Sequence, residues 1–296
     1  MRSLLHKTSL LFLLLLLGGC AFSPKPKEQE KLPLWVNEHS FTQAVGSSEV
    51  NFQGVYTQRA AALNEAKSSL AHNIRSYITS SLQSQSKVGN NEISSRYKDK
   101  IVALSELFLS DARQVDAFFD SNRKLYILVE SPQESIERVV GLDGQENRTP
   151  LPDLTTRPFD KKELIESRCY QRELLESINT KSELFQNKPL WFFRPNQGGV
   201  LGSVGIAEKE EGRSLAEQKR VALSLAKSAL MRDKKMQIKS RHELLKIVSD
   251  DINGEIFDSS AVIRSADESV TVELKDIWLD PQSCELYVWI VESDEV

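Results

Sequence analysis

Residue types capable of chemistry are present in this chain, but they are scattered. His39, His72 and His242 fall in three separate segments, with neither a His-x-x-x-His pair nor a Cys/His spacing. A metal site is therefore not expected, and no cofactor is implied. Gly199, Gly202 and Gly205 form a glycine-rich stretch ahead of a helix, where backbone N–H groups can converge on phosphate. Glu208, Lys209, Glu210 and Glu211 follow in place of Lys and Ser or Thr, and their carboxylates would repel an anion. A turn leading into a strand is the better reading. Asp250-Asp251 and Glu210-Glu211 have no partner acid at a recognisable spacing and read as solvated faces. No Gly-x-Ser-x-Gly elbow presents a serine nucleophile. Trp35 and Trp191, with Gly199 and Gly202 in the 198–205 turn, are the candidate contacts for a ligand or partner. The two tryptophans occupy matching places in a repeated frame, which fits core plugs better than stacking platforms. An enzyme is not expected.

Cys20 has the strongest local context. Arg2 and Lys7 precede an unbroken apolar run over 10–17, and the chain then reads Leu17-Gly18-Gly19-Cys20. Small residues at −2 and −1 admit a peptidase, and a cysteine at +1 supplies a thiol for acylation. The pattern resembles the lipobox of bacterial lipoproteins. The apolar run is far short of the ~20 residues that a membrane span needs. Ala21 stands where retention in the inner membrane favours Asp, so the resemblance implies the outer membrane, with the protein facing the periplasm. Each buried methylene of an acyl chain contributes ~0.8 kcal/mol, so two or three chains anchor durably. Residues 1–19 are expected to be a signal peptide, and 20–31 the lipidated cysteine and a tether stiffened by Pro24 and Pro26.

Removing nineteen residues from 296 leaves 277, enough for two domains of ordinary size. The net charge is −4, and losing Arg2 and Lys7 makes it −6. A mildly acidic envelope protein is not expected to bind nucleic acid. With Cys20 assigned to lipid, Cys169 and Cys284 remain either as a disulfide or as two separate buried thiols.

The elements that must position these residues occur twice. Pro33-Leu34-Trp35 returns as Pro189-Leu190-Trp191, Ala62-Leu63 with Ala66-Lys67-Ser68 as Ala222-Leu223 with Ala226-Lys227-Ser228, and Leu125-Tyr126 with Val129-Glu130-Ser131 as Leu286-Tyr287 with Val291-Glu292-Ser293. The order is kept and the offset drifts only from 156 to 162, as small loop insertions produce. Helices are predicted over 55–85 and 214–248. In the first, Leu63, Ala66, Leu70, Ile74, Ile78 and Leu82 recur at spacings of three and four; in the second, Ala222, Leu223, Ala226 and Leu230 carry the packing face. Strands are predicted over 41–46, 115–119, 125–129, 200–206, 270–279 and 285–291, with hairpins at 120–122 and 280–283. A short helix is predicted from Ser131-Pro132 to near Gly141, then an irregular linker over 141–160. A helical segment is predicted over 161–185, with Ile165, Cys169, Leu175 and Ile178 as its apolar stripe. The expected fold is α+β, with two similar domains over 32–131 and 188–296 joined by a partly helical connector over 132–187. Each domain is a long amphipathic helix on a small antiparallel sheet in β-α-β-β order.

A lipobox, a Pro-x-Trp opening, a strand ending in Val-Gly, an Ala-rich helix and a closing Leu-Tyr-hydrophobic-Val strand together resemble the LPP-twenty-like outer-membrane lipoproteins. That group includes the FlgP flagellar lipoproteins. The similarity covers both halves, over 32–131 and 188–293, whereas family members usually carry one such domain. The resemblance implies a non-catalytic lipoprotein held to outer-membrane lipid through acylated Cys20, with an envelope protein partner or self-association, in some members around the flagellar motor. The alternative is a binding module for a small molecule or cell-wall fragment between the two domains.

Overall fold

The i, i+4 series Ala62, Ala66, Leu70, Ile74 and Ile78 is one fully buried stripe of a 32-residue helix in the computed structural model of the protein. The structure describes residues 31–38, 40–85, 102, 105, 106, 109–131, 149–249 and 271–293, with backbone alone for 81–85 and 237–249. Cys20 with the leader and most of the tether, His39, the predicted helix after Ser131 and Asp250-Asp251 lie outside the described residues, as do the side chains of Leu82 and His242.

The protein is a mixed α+β structure with small antiparallel sheets. The first sheet comprises β1 (Gln43–Ser48), β2 (Arg113–Phe119) and β3 (Leu125–Glu130), in the spatial order β1-β3-β2. Helix α1 (Gly54–Gln85) covers it. Burying each of Leu70, Ile74 and Ile78 contributes ~1.5–3 kcal/mol. β3 pairs Leu125 with Ser48 on one side and with Phe119 on the other. Residues 102, 105, 106 and 109–111, between α1 and β2, are helical.

The connector departs from the expected single helical segment. It contains α2 (Lys161–Glu166), α3 (Arg172–Glu176) and a two-residue hairpin, β4 (Leu184–Phe185) with β5 (Lys188–Pro189). Three constraints break the helix. Ser167 is extended at φ −65°, ψ 147°. Cys169 is bonded to Cys284 in the last hairpin. The Thr180 hydroxyl and the Lys181 N–H both donate to Asp276. The buried stripe uses Leu164 in place of the expected Ile165, with Cys169, Leu175 and Ile178. In the hairpin, Gln186 and Asn187 both have positive φ, as a two-residue turn requires.

A four-residue helix, α4 (Leu190–Phe193), leads to the third sheet, β6 (Gly202–Ala207), β7 (Val272–Leu279) and β8 (Leu286–Glu292), in the order β6-β8-β7. Helix α5 (Leu215–Ser249) covers that sheet. Its start is a capping box: Ser214 N–H donates to Glu217 Oε2 at 2.9 Å, and Glu217 N–H donates back to Ser214 Oγ at 3.3 Å. α1 has no acidic residue in its first turn. Instead the Val55 N–H donates to Glu285 Oε1 at 3.4 Å, from 230 residues downstream. Among the described residues no helix is long and apolar enough to cross a membrane.

Pro33–Val296 forms one compact unit, and its largest apolar cluster takes residues from both repeats. Phe119 of β2 stacks on Phe192 at 5.8 Å, and Phe192 meets Tyr287 of β8 edge-on at 5.9 Å. The exposed edge of β2 is finished by a side chain. Phe119 N–H donates to Gln186 Oε1 at 2.9 Å, and Gln186 Nε2 donates to the Phe119 carbonyl at 2.7 Å.

Each long helix sits against its sheet at a glycine. A Cβ on Gly46 would lie 2.1 Å from the Ala62 carbonyl oxygen, and one on Gly205 would lie 1.9 Å from that of Ala222. Both obstacles are backbone, so no rotamer change relieves them. Gly46→Ala and Gly205→Ala should each destabilise the protein by about 3 kcal/mol or more, at the severe end of overpacking. Urea unfolding measures this, and a loss of about 0.5 kcal/mol, as at a surface position, would show that the helix can lift.

Candidate functional site

The two tryptophans singled out by the sequence are 1% exposed, and each is bonded to a buried aspartate. Trp35, in the 3-10 turn Leu34–Val36, donates from Nε1 to Asp116 Oδ2 at 3.2 Å. Trp191, in α4, donates to Asp276 Oδ2 at 3.0 Å. Both aspartates follow a register shift in their strand, between Gln114 and Asp116 in β2 and between Leu274 and Asp276 in β7. Such a bulge leaves the local ladder incomplete, and the carboxylate compensates. Asp116 Oδ1 accepts the Ala117 N–H at 3.0 Å, and Asp276 Oδ1 accepts the Ile277 N–H at 2.9 Å. The Trp191 ring also stacks on Trp289 at 6.1 Å. These tryptophans are core plugs, and their positions do not present them to a ligand.

Asp116 has a further partner. Arg194, just after α4, donates from Nε to Oδ1 at 3.1 Å and from Nη2 to Oδ2 at 3.2 Å, with Nη2 also reaching the Pro152 carbonyl at 2.7 Å. This buried fork joins the first sheet to the second half of the chain. Burial holds the Asp116 carboxyl above the usual carboxylate range, against the opposing pull of Arg194, the Ala117 N–H and Trp35.

A second buried polar chain runs beside the last hairpin. Lys188 Nζ donates to Tyr287 Oη at 2.7 Å and to Asp280 Oδ2 at 3.3 Å, and Tyr287 Oη donates to Glu285 Oε2 at 2.9 Å. A Lys-Tyr-Glu relay could in principle move protons. Burial, followed by Glu285 and Asp280, pushes the Tyr287 phenol well above its ordinary value, so it stays protonated at neutral pH. The cavity that Asp280 borders is only about 20 Å³. Glu285 is also the group that meets the start of α1, so the chain serves packing.

The glycines lie elsewhere. Gly199 has φ +81° in an exposed 3-10 turn, and its carbonyl accepts from Arg113 Nη1 at 3.5 Å. Gly202 donates its N–H to Asn196 Oδ1 at 2.8 Å, and a Cβ there would lie 2.1 Å from the Pro195 carbonyl. Gly202 borders a cleft of about 370 Å³ between α1, β2, the 195–204 segment and α5. Arg59, Arg113, Lys67, Arg232 and Asp233 bring its charges. Lys67 Nζ bonds Asp233 Oδ1 at 2.9 Å, bridging the two long helices. Arg59 is 8% exposed, and its Nη2 donates to Gln114 Oε1 at 2.7 Å. Gln114 Nε2 in turn donates to the carbonyls of Phe192 and Phe193 at 3.0 and 2.7 Å.

The cleft was not among the sequence expectations, although a signal for it exists. Arg59 precedes Ala62 by three positions, so a permanent cation lies in phase with the buried stripe of α1. Among the described residues no group of His, Cys, Asp and Glu is arranged to hold a metal ion. No protein-family model and no curated protein matches this chain.

The Asp116 environment makes a signed prediction. The folded pKa lies above the unfolded one, so between the two values only the folded protein takes up the proton. This group's contribution to stability therefore grows as pH falls through that window. Asp116→Asn removes the titration. The unfolding free energy of the wild type should rise relative to that of Asp116→Asn as pH drops from neutral to about 4. Two parallel curves would show that Asp116 titrates normally.

Proposed function

We propose that this chain is a lipid-anchored, non-catalytic lipoprotein of the bacterial outer membrane that acts through protein–protein contact as a structural or assembly factor. In this reading Cys20 carries the acyl chains and the folded part faces the periplasm. The folded part is a duplicated β-α-β-β unit of the LPP-twenty-like kind, and a flagellum-associated assembly is one setting for it.

The observation that carries the reading is the internal use of the residues present in both repeats. The Trp-Asp bond recurs at offsets of 156 and 160, as Trp35–Asp116 and Trp191–Asp276. A glutamine amide recurs at an offset of 160: Gln58 Nε2 donates to the Ser48 and Arg123 carbonyls, and Gln218 Nε2 to those of Ala207 and Cys284. The strand orders β1-β3-β2 and β6-β8-β7 correspond as well. What is duplicated holds a fold together, and a scaffold needs that more than it needs a reactive constellation.

A second reading, a binding module for a small molecule or cell-wall fragment between the two repeats, is favoured by one specific observation, the cleft between α1 and α5.

Changing Cys20→Ser should move the full-length protein from the membrane to the soluble fraction on cell fractionation, whereas sedimentation with the outer membrane would sink the anchor. Chemical cross-linking of the wild type in intact cells should yield discrete higher-mass species. Their absence would count against assembly.

A further inference from the structure

We propose that the cleft between α1 and α5 is a binding site for a small organic molecule carrying a carboxylate or phosphate group, which docks on the guanidinium groups of Arg59 and Arg113. The inference rests on the second reading above, the binding module, and names its ligand class.

Arg59 and Arg113 each keep a buried Nε that has no hydrogen-bond partner among the described residues. A buried donor left without an acceptor is costly, and more so when it is charged. Arg59 has Gln114, a neutral acceptor, at 2.7 Å. Arg113 reaches the Gly199 carbonyl only at 3.5 Å. Neither contact neutralises a guanidinium. Asp233, the acidic residue bordering the cleft, is engaged by Lys67 at 2.9 Å. Burial pushes the Arg59 guanidinium down to about 10 despite the opposing field of Asp233. The charge of Asp233 thus offsets the burial of the Arg59 cation only in part.

Among the described residues the charges lining the cleft are four cationic, Arg59, Lys67, Arg113 and Arg232, against one anionic, Asp233. This local excess sits on a chain of net charge −4, so it is not a reflection of overall composition. An oxyanion supplies both missing elements: acceptors for planar N–H donors, and a charge that balances the buried cation. The remaining walls set the rest of the ligand. Tyr56, Leu63, Leu201 and Met236 offer apolar surface, and Asn64 offers an amide. At about 370 Å³ the cleft lies at the small end of organic-ligand sites and exceeds what a bare ion needs.

The two repeats differ here in a way that locates the site. At an offset of 160 from Arg59 stands Lys219, which is exposed. The buried cation therefore belongs to one copy and is not part of what both share.

The test is calorimetric titration of the full-length wild-type protein with benzoate, phenyl phosphate, inorganic phosphate and the uncharged benzyl alcohol. Benzoate or phenyl phosphate should bind with one-to-one stoichiometry, and benzyl alcohol at least about tenfold more weakly, the scale of one charge-assisted hydrogen bond. Comparing the two aromatic anions distinguishes a carboxylate source from a phosphate source, and inorganic phosphate tests the need for an apolar body. Arg59→Met and Arg113→Gln should each weaken the anion at least about tenfold while leaving the far-ultraviolet circular dichroism unchanged. If Arg59→Met does not fold, Arg113→Gln decides alone. Anion binding untouched by the substitutions would place it elsewhere and overturn the proposal. Equal binding of benzyl alcohol, weakened by Leu63→Asp, would leave the cleft as a binding module but remove its oxyanion specificity. No binding of any probe would remove both.

Discussion

A single buried carboxylate, Asp116, fixes how the two halves of this chain meet. It is 1% exposed and lies at a bulge where the strand ladder is interrupted. It collects an indole from the chain's opening turn, a backbone N–H from its own strand and a guanidinium from beyond α4. Breaking such a pair leaves an uncompensated buried charge, which costs about 3–5 kcal/mol, although forming it adds little net stability. Its effect is therefore mainly geometric. Arg194 is held, and with it the Pro195 and Asn196 backbone that forms one wall of the cleft. Trp289 donating to the Pro195 carbonyl at 3.0 Å pins the same segment from the other sheet.

The equivalent carboxylate of the second half, Asp276, has a different set of additional partners. Thr180 and Lys181 of the connector serve it in place of an arginine, and so the connector is fastened where the other half is fastened in the first case. The disulfide between Cys169 and Cys284 adds a covalent tie from the same connector to the same hairpin. One buried acid thus joins half to half, and its counterpart joins half to connector.

Most of the regular structure was legible in the residues. Helical spacing located α1 and α5 to within a residue or two, because a long apolar stripe on an otherwise polar helix has a single period. The antiparallel hairpins were legible because Asp120-Ser121-Asn122 and Asp280-Pro281-Gln282-Ser283 separate apolar, β-prone runs. The connector was not, since what breaks its helix lies far away in sequence: a thiol at 284 and a carboxylate at 276. The cleft was hidden for the same reason. Arg59, Arg113 and Asp233 are separated by more than fifty and more than a hundred residues, and only packing of α1 against the second half brings them together. Trp35 and Trp191 were legible as core residues from their duplication, but their aspartate partners were not, because bulges leave no fixed sequence mark.

The cap that Glu285 gives to the start of α1 has a consequence for synthesis. Strands β1, β2 and β3 can assemble as soon as residue 130 is made, yet the first turn of α1 and the aromatic cluster around Phe192 wait for the final hairpin. In the third sheet the middle strand is β8, which is also the last to be made. A nascent chain thus carries an unfinished helix start and half of an apolar core until its closing segment emerges. Long-range closure of this sort slows folding. Until then the growing chain must be kept from pairing with its neighbours, and completion of the fold comes as one late event that locks both halves together.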